Sequence, residues 1–328
     1  MKKTLGLLIL VSGAAIAASS GYHKAAEISI GGPGQWDLLG VDSIGHRVYV
    51  SHQSKVEVLD IDSGEKVGEV PGVAGVHGIA VAPQLNRGYT SNGGTNDVTV
   101  FDLKTLQTVG AAIKVGSSPD AIVYEPVSSR VLSYNARSNN VSIIDARTST
   151  VVATVPLDGN PELAVPDGRG KVYSNIESTN TIVEIDALKG VQTKEYSIAP
   201  CTGPTGIAMD AKARKLFSVC SNRVMVISDP DTGKVVATVP IGPGPDSAAF
   251  DPATGLAFSS NGGDGTLTIV QTSAGKYEVV ENLPTQMRSR TMILDERTHN
   301  LYLPAVDPAA GGGRGSAPDS FKILVIGK

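Results

Sequence analysis

From about residue 26 to the last residue, short runs with apolar side chains at every second position are broken by clusters of Gly, Asn, Asp, Ser and Pro. The stretch 116–157, GSSPDAIVYEPVSSRVLSYNARSNNVSIIDARTSTVVATVPL, shows the unit. It predicts strands over 120–124, 130–134, 141–145 and 150–155, separated by turns at 125–129, 135–139 and 146–149. Alternation with a period of two, bounded by residues that favour tight turns, is the signature of half-buried strands. Four such runs in succession make a small antiparallel meander.

The unit recurs. Aligned on the residue that opens each first strand, seven copies begin at Asp37, His77, Asp120, Glu162, Thr205, Asp246 and Arg290, at intervals of 40, 43, 42, 43, 41 and 44 residues. Five residues after each start stands an acid or a small residue: Asp42, Ala82, Glu125, Asp167, Asp210, Asp251 and Asp295. Second strands follow as HRVYVS (46–51), GKVYSN (170–175) and RKLFSV (214–219), and third strands as DVTVFD (97–102), NVSIID (140–145) and TIVEID (181–186). A repeat of this length built from four strands is a propeller blade. The expected fold is all-β, one seven-bladed β-propeller of four-stranded antiparallel blades over 26–328. The seventh copy shows no fourth strand before Lys328, whereas AEISI (26–30) resembles a fourth strand. That N-terminal strand is expected to close the last blade, leaving the ring without a free edge. Asp60-Ile-Asp-Ser-Gly64 superficially resembles the start of a calcium loop but lacks the distal Glu of the full pattern, so it is read as a hairpin turn.

The 37 glycines and 19 prolines are spread along the 328 residues, as turn punctuation would be. The first residues read differently. Lys2 and Lys3 precede an apolar run over 5–16, and Ala15-Ile16-Ala17 supplies small residues for cleavage, so 1–17 is expected to be a secretory signal peptide. The run is short for a membrane span, and no Cys follows it to carry a lipid. The expected product is a soluble monomer, periplasmic or secreted. Without Lys2 and Lys3, 26 basic residues face 32 acidic ones, a net charge of −6 with no Lys/Arg-dense stripe. Nucleic-acid binding lacks its usual electrostatic footprint.

The second strand with Tyr-Val, the polar loop, the Val-x-Val-hydrophobic-Asp strand and the Thr-Gly-type turn that follows resemble the YVTN-repeat β-propeller family, which includes YncE-like periplasmic proteins. The resemblance covers nearly all of 26–328. It implies a WD40-like seven-bladed propeller with a funnel that binds a ligand or partner, often without a known enzymatic activity.

In a propeller the first strands line the central channel, and the loops entering them share one face with the loops between second and third strands. Two sets of residues are therefore expected at the funnel mouth. One is the ring of starting residues with its neighbour Trp36: Asp37, His77, Asp120, Glu162, Thr205, Asp246 and Arg290. The other is the set at second-strand ends: His52, Asn92, Tyr134, Asn135, Asn175 and Asn261. Asp120 and Asp246 each follow a Pro and suit a strand-starting turn, whereas His77, Glu162 and Arg290 break the repeat and are stronger candidates for function. Asp37, Asp120, Glu162 and Asp246 are the candidate metal ligands. No cofactor is predicted, and calcium or another divalent cation is the ion such oxygens would suit. The loop 305–320, AVDPAAGGGRGSAPDS, is expected on the same face as a lid or partner contact, with Arg314 reaching the mouth. Cys201 leads into the fifth blade and Cys220 ends its second strand on that face, which predicts a disulfide between them.

No G-x-S-x-G, HExxH, Walker loop or CxxCH occurs. The leading reading is a binding or scaffold protein for a protein partner or small ligand. The second is a lactonase-like metal hydrolase, in which Asp37, Asp120, Glu162 and Asp246 with Asn92, Asn135 and Asn175 would hold a divalent ion.

Overall fold

The computed structural model describes residues 20–273, 275–309 and 315–328. The signal peptide expected at 1–17 and Arg314 lie outside the described residues.

The strands assemble into seven four-stranded antiparallel sheets. In blade 3, Pro119–Glu125, Arg130–Asn135, Asn140–Asp145 and Thr150–Pro156 pair in sequence order, with Leu132 opposite Ile143 and Val141 opposite Val155. Each expected strand lies inside an observed one. Acidic side chains hold the turns by accepting from backbone N–H groups: Glu125 from Val127 and Ser128, Asp145 from Arg147 and Thr148. Asp60 likewise accepts from Ser63 N–H at 2.8 Å, and Gly64 takes φ +72°, so the calcium-like stretch is a turn.

The last blade combines both ends of the described chain. His23–Ser29 pairs with Lys322–Gly327, which pairs with Asn300–Ala305 and then Ile293–Asp295. The expected N-terminal closure is present, and it removes the free edge. First strands of successive blades adjoin all the way round, from blade 1 (Leu39–Asp42) to blade 7 (Ile293–Asp295) and back.

Apolar packing lies in the seams between blades. Seven buried clusters fill seven seams; Leu132, Ile143, Val172 and Val183, for example, close the one between blades 3 and 4. Second and third strands are buried on both faces because each blade is covered by two neighbours, which explains why their alternation fades. The third residue of each second strand (Tyr49, Tyr89, Leu132, Tyr173, Phe217, Phe258 and Tyr302) is almost wholly enclosed. Gly88 leaves room for one such contact: a Cβ there would lie 2.1 Å from the Phe101 ring.

Candidate functional site: a charged ring at the channel mouth

The seven starting residues converge at the mouth because their backbones are fastened to neighbouring segments. Thr291 Oγ1 donates to the Asp37 carbonyl at 2.8 Å, and Leu38 N–H to that of His77 at 3.1 Å. Ser91 Oγ donates to the Asp120 carbonyl, Asn175 Nδ2 to that of Thr205 at 3.0 Å, and Ser247 N–H to that of Arg290 at 3.2 Å. In blades 2–6 a register shift within the first strand accompanies this arrangement. In blades 1 and 7 the ring residue lies in the loop before the strand, as Leu39–Asp42 and Ile293–Asp295 begin after Asp37 and Arg290.

The side chains form a contiguous arc across five blades. Asp120 Oδ1 lies 3.6 Å from His77 Nδ1, which is 2.5 Å from Asp37 Oδ2. Asp37 Oδ1 is 3.8 Å from Arg290, whose Nε donates to Asp246 Oδ2 at 2.6 Å. Blades 4 and 5 complete the ring with Glu162 and Thr205. Thr205 Oγ1 is turned to the Pro245 carbonyl at 3.1 Å, a structural contact. Glu162 receives a long hydrogen bond from Asn160 Nδ2, 3.4 Å, and no ion pair is seen for it among the described residues.

The charges are unbalanced, and the titration of the ring reflects it. The hydrogen bond that His77 donates to Asp37 raises it above the ordinary histidine range, against the cost of burial. Burial, then the Asp37 charge, pushes Asp120 up to about 6 despite His77 and Arg290. Burial also pushes Asp246 up to about 6 against the opposing pull of Arg290. Glu162 moves furthest, to about 8, through burial and then the charges of Asp120, Glu177, Asp246 and Asp37. It carries its proton at neutral pH, a mark of a carboxyl short of a cationic neighbour.

Asp37, His77 and Asp120 place three ligand atoms within 4.8 Å of one another and are the group able to share a metal ion. Glu162 and Asp246, also expected as ligands, are not in that group. An ion there would displace the proton that His77 shares with Asp37.

The second-strand set is placed differently from expectation. Asn92 donates to Asp97 and Thr99, Asn135 to Asn140 and Ser142, and Asn261 to Thr266 and Thr268, each bridging second and third strands within its own hairpin. Asn175 donates to the carbonyls of Thr205 and Gly206 in the next blade. All four are buried, as are Tyr134 and His52. His52 stands where blades 2, 3 and 6 have Asn; its Nδ1 is 2.9 Å from Glu57, its Nε2 2.7 Å from the Pro33 carbonyl. The four Asn side chains and His52 hold the blade tops together and are spent on protein partners. The reason is geometric: a polar residue ending a blade's second strand faces its own third strand or the next blade, not the axis.

Trp36 stacks on Phe321 with ring centroids 5.5 Å apart. Its other surroundings form a rim cavity of about 470 Å³, lined by Gly34, Gln35, Trp36, Gly244, Gly262, Gly263, Arg288 and Arg290. Arg288 and Gln35 escaped the sequence reading. The Arg-Ser-Arg spacing at 288–290, in the loop leading to the ring, was the available signal. The described part of the 305–320 loop folds on itself, with Ala317 N–H donating to the Asp307 carbonyl and Arg288 bonded to Ser316. Cys201 and Cys220 are joined by a disulfide, as expected, with Cα atoms 5.5 Å apart.

No protein-family model matches the chain. A segment of 211 residues, 60% of the chain, is 26% identical to antigen Lp49 of Leptospira interrogans and spans 46% of that protein, less than half its length. Among solved structures the fold is similar to Kuenenia stuttgartiensis hydrazine synthase, with TM-score 0.73 and 18% identity over 86% of this chain and 96% of that one. It is similar to the WD40 repeats of RRP9, with TM-score 0.78 and 10% identity over 92% and 97%. A chain of a mitotic checkpoint complex gives TM-score 0.76 and 14% identity over 100% and 99%. Identities this low speak to a shared WD40-like propeller fold alone. No helix among the described residues is long and apolar enough to cross a membrane.

Proposed function

We propose that the protein is an exported, YVTN-type propeller that binds a cationic small ligand at the mouth of its funnel, as a binding protein and not a hydrolase. Glu162 carries this reading. Asp120, His77, Asp37, Arg290 and Asp246 largely satisfy one another around the arc, while Glu162 has only carboxylates, those of Asp120, Glu177, Asp246 and Asp37, as its strongest electrostatic neighbours. A ligand cation beside it supplies the missing charge and releases its proton. The Cys201–Cys220 bond supports export, because such bonds persist in oxidising compartments. Weighing against the metal-hydrolase reading, Asn92, Asn135 and Asn175, which would serve as ligands, are buried in bonds to protein groups.

The test is a thermal-shift panel of small ammonium, guanidinium and carboxylate compounds, with calcium as a further arm, at pH 8.5. Cations should raise the melting temperature of the wild type and leave Glu162→Gln unmoved. Equal stabilisation by carboxylates would overturn the reading. Calcium stabilisation lost on Asp120→Asn but kept in Glu162→Gln would replace it with a metal site at Asp37, His77 and Asp120.

A further inference from the structure

Directly below the charged ring the channel changes character. Residues one position beyond the ring members, including Leu38, Gly78, Ala121 and Leu163, begin the lining of a cavity of about 420 Å³ that runs down the first strands of all seven blades. Its lining side chains are mostly apolar, with Val123, Leu163, Val165, Ile207, Met209 and Phe250 among the larger ones. Only Ser247, Tyr124 and Glu296 bring polar side-chain groups to the lining, and Glu296 lies in the first turn of blade 7, at the end of the channel away from the mouth. A volume of this size, lined mostly by apolar side chains with a few polar ones among them, is the usual form of a small-molecule site.

We propose that the channel and the ring form one site for an amphiphilic amine, its ammonium group among the mouth carboxylates at Glu162 and its hydrocarbon body in the channel below. The proposal rests on the cation-binding reading of the mouth and adds the ligand's second half. An apolar body lying along these side chains gains free energy with each methylene buried. A ligand that is cationic but short leaves the channel wet. One that is apolar but uncharged leaves Glu162 without a counter-charge. Only a molecule with both halves satisfies both regions.

The experiment is a calorimetric titration of methyl-, butyl-, hexyl- and octylammonium at pH 8.5, with octanol and octanoate as controls. Affinity is expected to rise roughly threefold to fourfold per methylene, the increment for transfer of a CH₂ group out of water. Octanol and octanoate should bind at least about tenfold more weakly than octylammonium, the loss expected for a missing charge-assisted contact. Val123→Phe, which fills the channel, should abolish the dependence on chain length while methylammonium binding persists. Val165→Phe, on a different blade, serves if the first variant does not fold. Affinity independent of chain length, with binding still removed by Glu162→Gln, would overturn the proposal and leave the mouth reading standing. Chain-length dependence that survives both filling variants would overturn it as well, since the tail would then lie elsewhere. Octanol binding as tightly as octylammonium, with Glu162→Gln without effect, would overturn the mouth reading along with it.

Discussion

The carboxylates on the two faces of the propeller have opposite fates. On the far face, away from the mouth, hairpin turns use acids as hydrogen-bond acceptors. Backbone N–H groups of Ser63 and Thr105 hold Asp60 and Asp102 below the usual carboxylate range. At the mouth, burial and mutual repulsion push Asp120 and Asp246 to about 6 and Glu162 to about 8. The residue type is the same; the difference is whether donors surround the charge. Turn acids are stabilised as anions by local backbone, so they serve the fold. Mouth acids are held near one another with too few donors, an arrangement that weakens the fold at neutral pH and suits a cationic guest.

The comparison can be broken at several points. The largest expected effect comes from the support beneath the mouth. Converting both Cys201 and Cys220 to Ser removes a covalent staple across a sequence separation of 19 residues, and should cost about 3 kcal/mol in chemical denaturation. Unchanged stability would mean that this side of the mouth is held by packing alone.

Next is the buried turn acid Asp295, fully enclosed and accepting from Ser43 Oγ at 2.5 Å and Thr298 Oγ1 at 2.7 Å. Asp295→Ala leaves those donors unsatisfied and should cost about 2 kcal/mol by urea melts.

Glu162→Gln should act with the opposite sign, stabilising the protein by up to a few kcal/mol at pH 8.5 and by less than about 1 kcal/mol at pH 5. The sign follows from linkage. A carboxyl whose folded pKa is about 8 holds a proton that the unfolded chain releases near the ordinary glutamate value of 4.5, so folded stability falls as pH rises across that interval. His77, also raised, contributes stability that is lost as pH rises through its folded value. Acidification from pH 8.5 to 6 should therefore raise the wild-type melting temperature. Asp60 and Asp102 run the other way: their lowered values contribute stability at neutral pH that disappears only in strong acid. A melting temperature that is flat from pH 6 to 8.5 would show that the mouth acids are solvated like ordinary surface groups.

The smallest effect is expected at an exposed turn. Asp102→Ala removes acceptance from the N–H groups of Lys104 and Thr105, each 2.9 Å away, and should cost roughly 0.5–1 kcal/mol. It should leave amine binding intact, which separates turn from mouth by function as well as by sign.

Much of this architecture is legible in the chain itself. The blade count, the strand order within each blade and the N-terminal closure follow from the interval between Asp37, His77, Asp120 and their counterparts, and from AEISI standing where a fourth strand was missing. They are legible because alternation and turn residues are local, and because each blade repeats the same local solution. The Cys201–Cys220 bond is legible for a related reason, since both positions are set by one blade's topology.

The side chains' final partners are not local. Nothing in the chain separates Asn135, consumed by Asn140 and Ser142 within its hairpin, from a residue that faces the axis. Nor does it show that Arg290 bonds Asp246 while Glu162 is left among acids. Those outcomes depend on the closed ring, which brings residues more than a hundred positions apart into one electrostatic neighbourhood. The sequence by itself determined the repeated unit, and through it the propeller and the register of the ring. Only the tertiary structure decided which carboxylates are matched and which one is not, because that balance is a sum over blades and no single blade contains it.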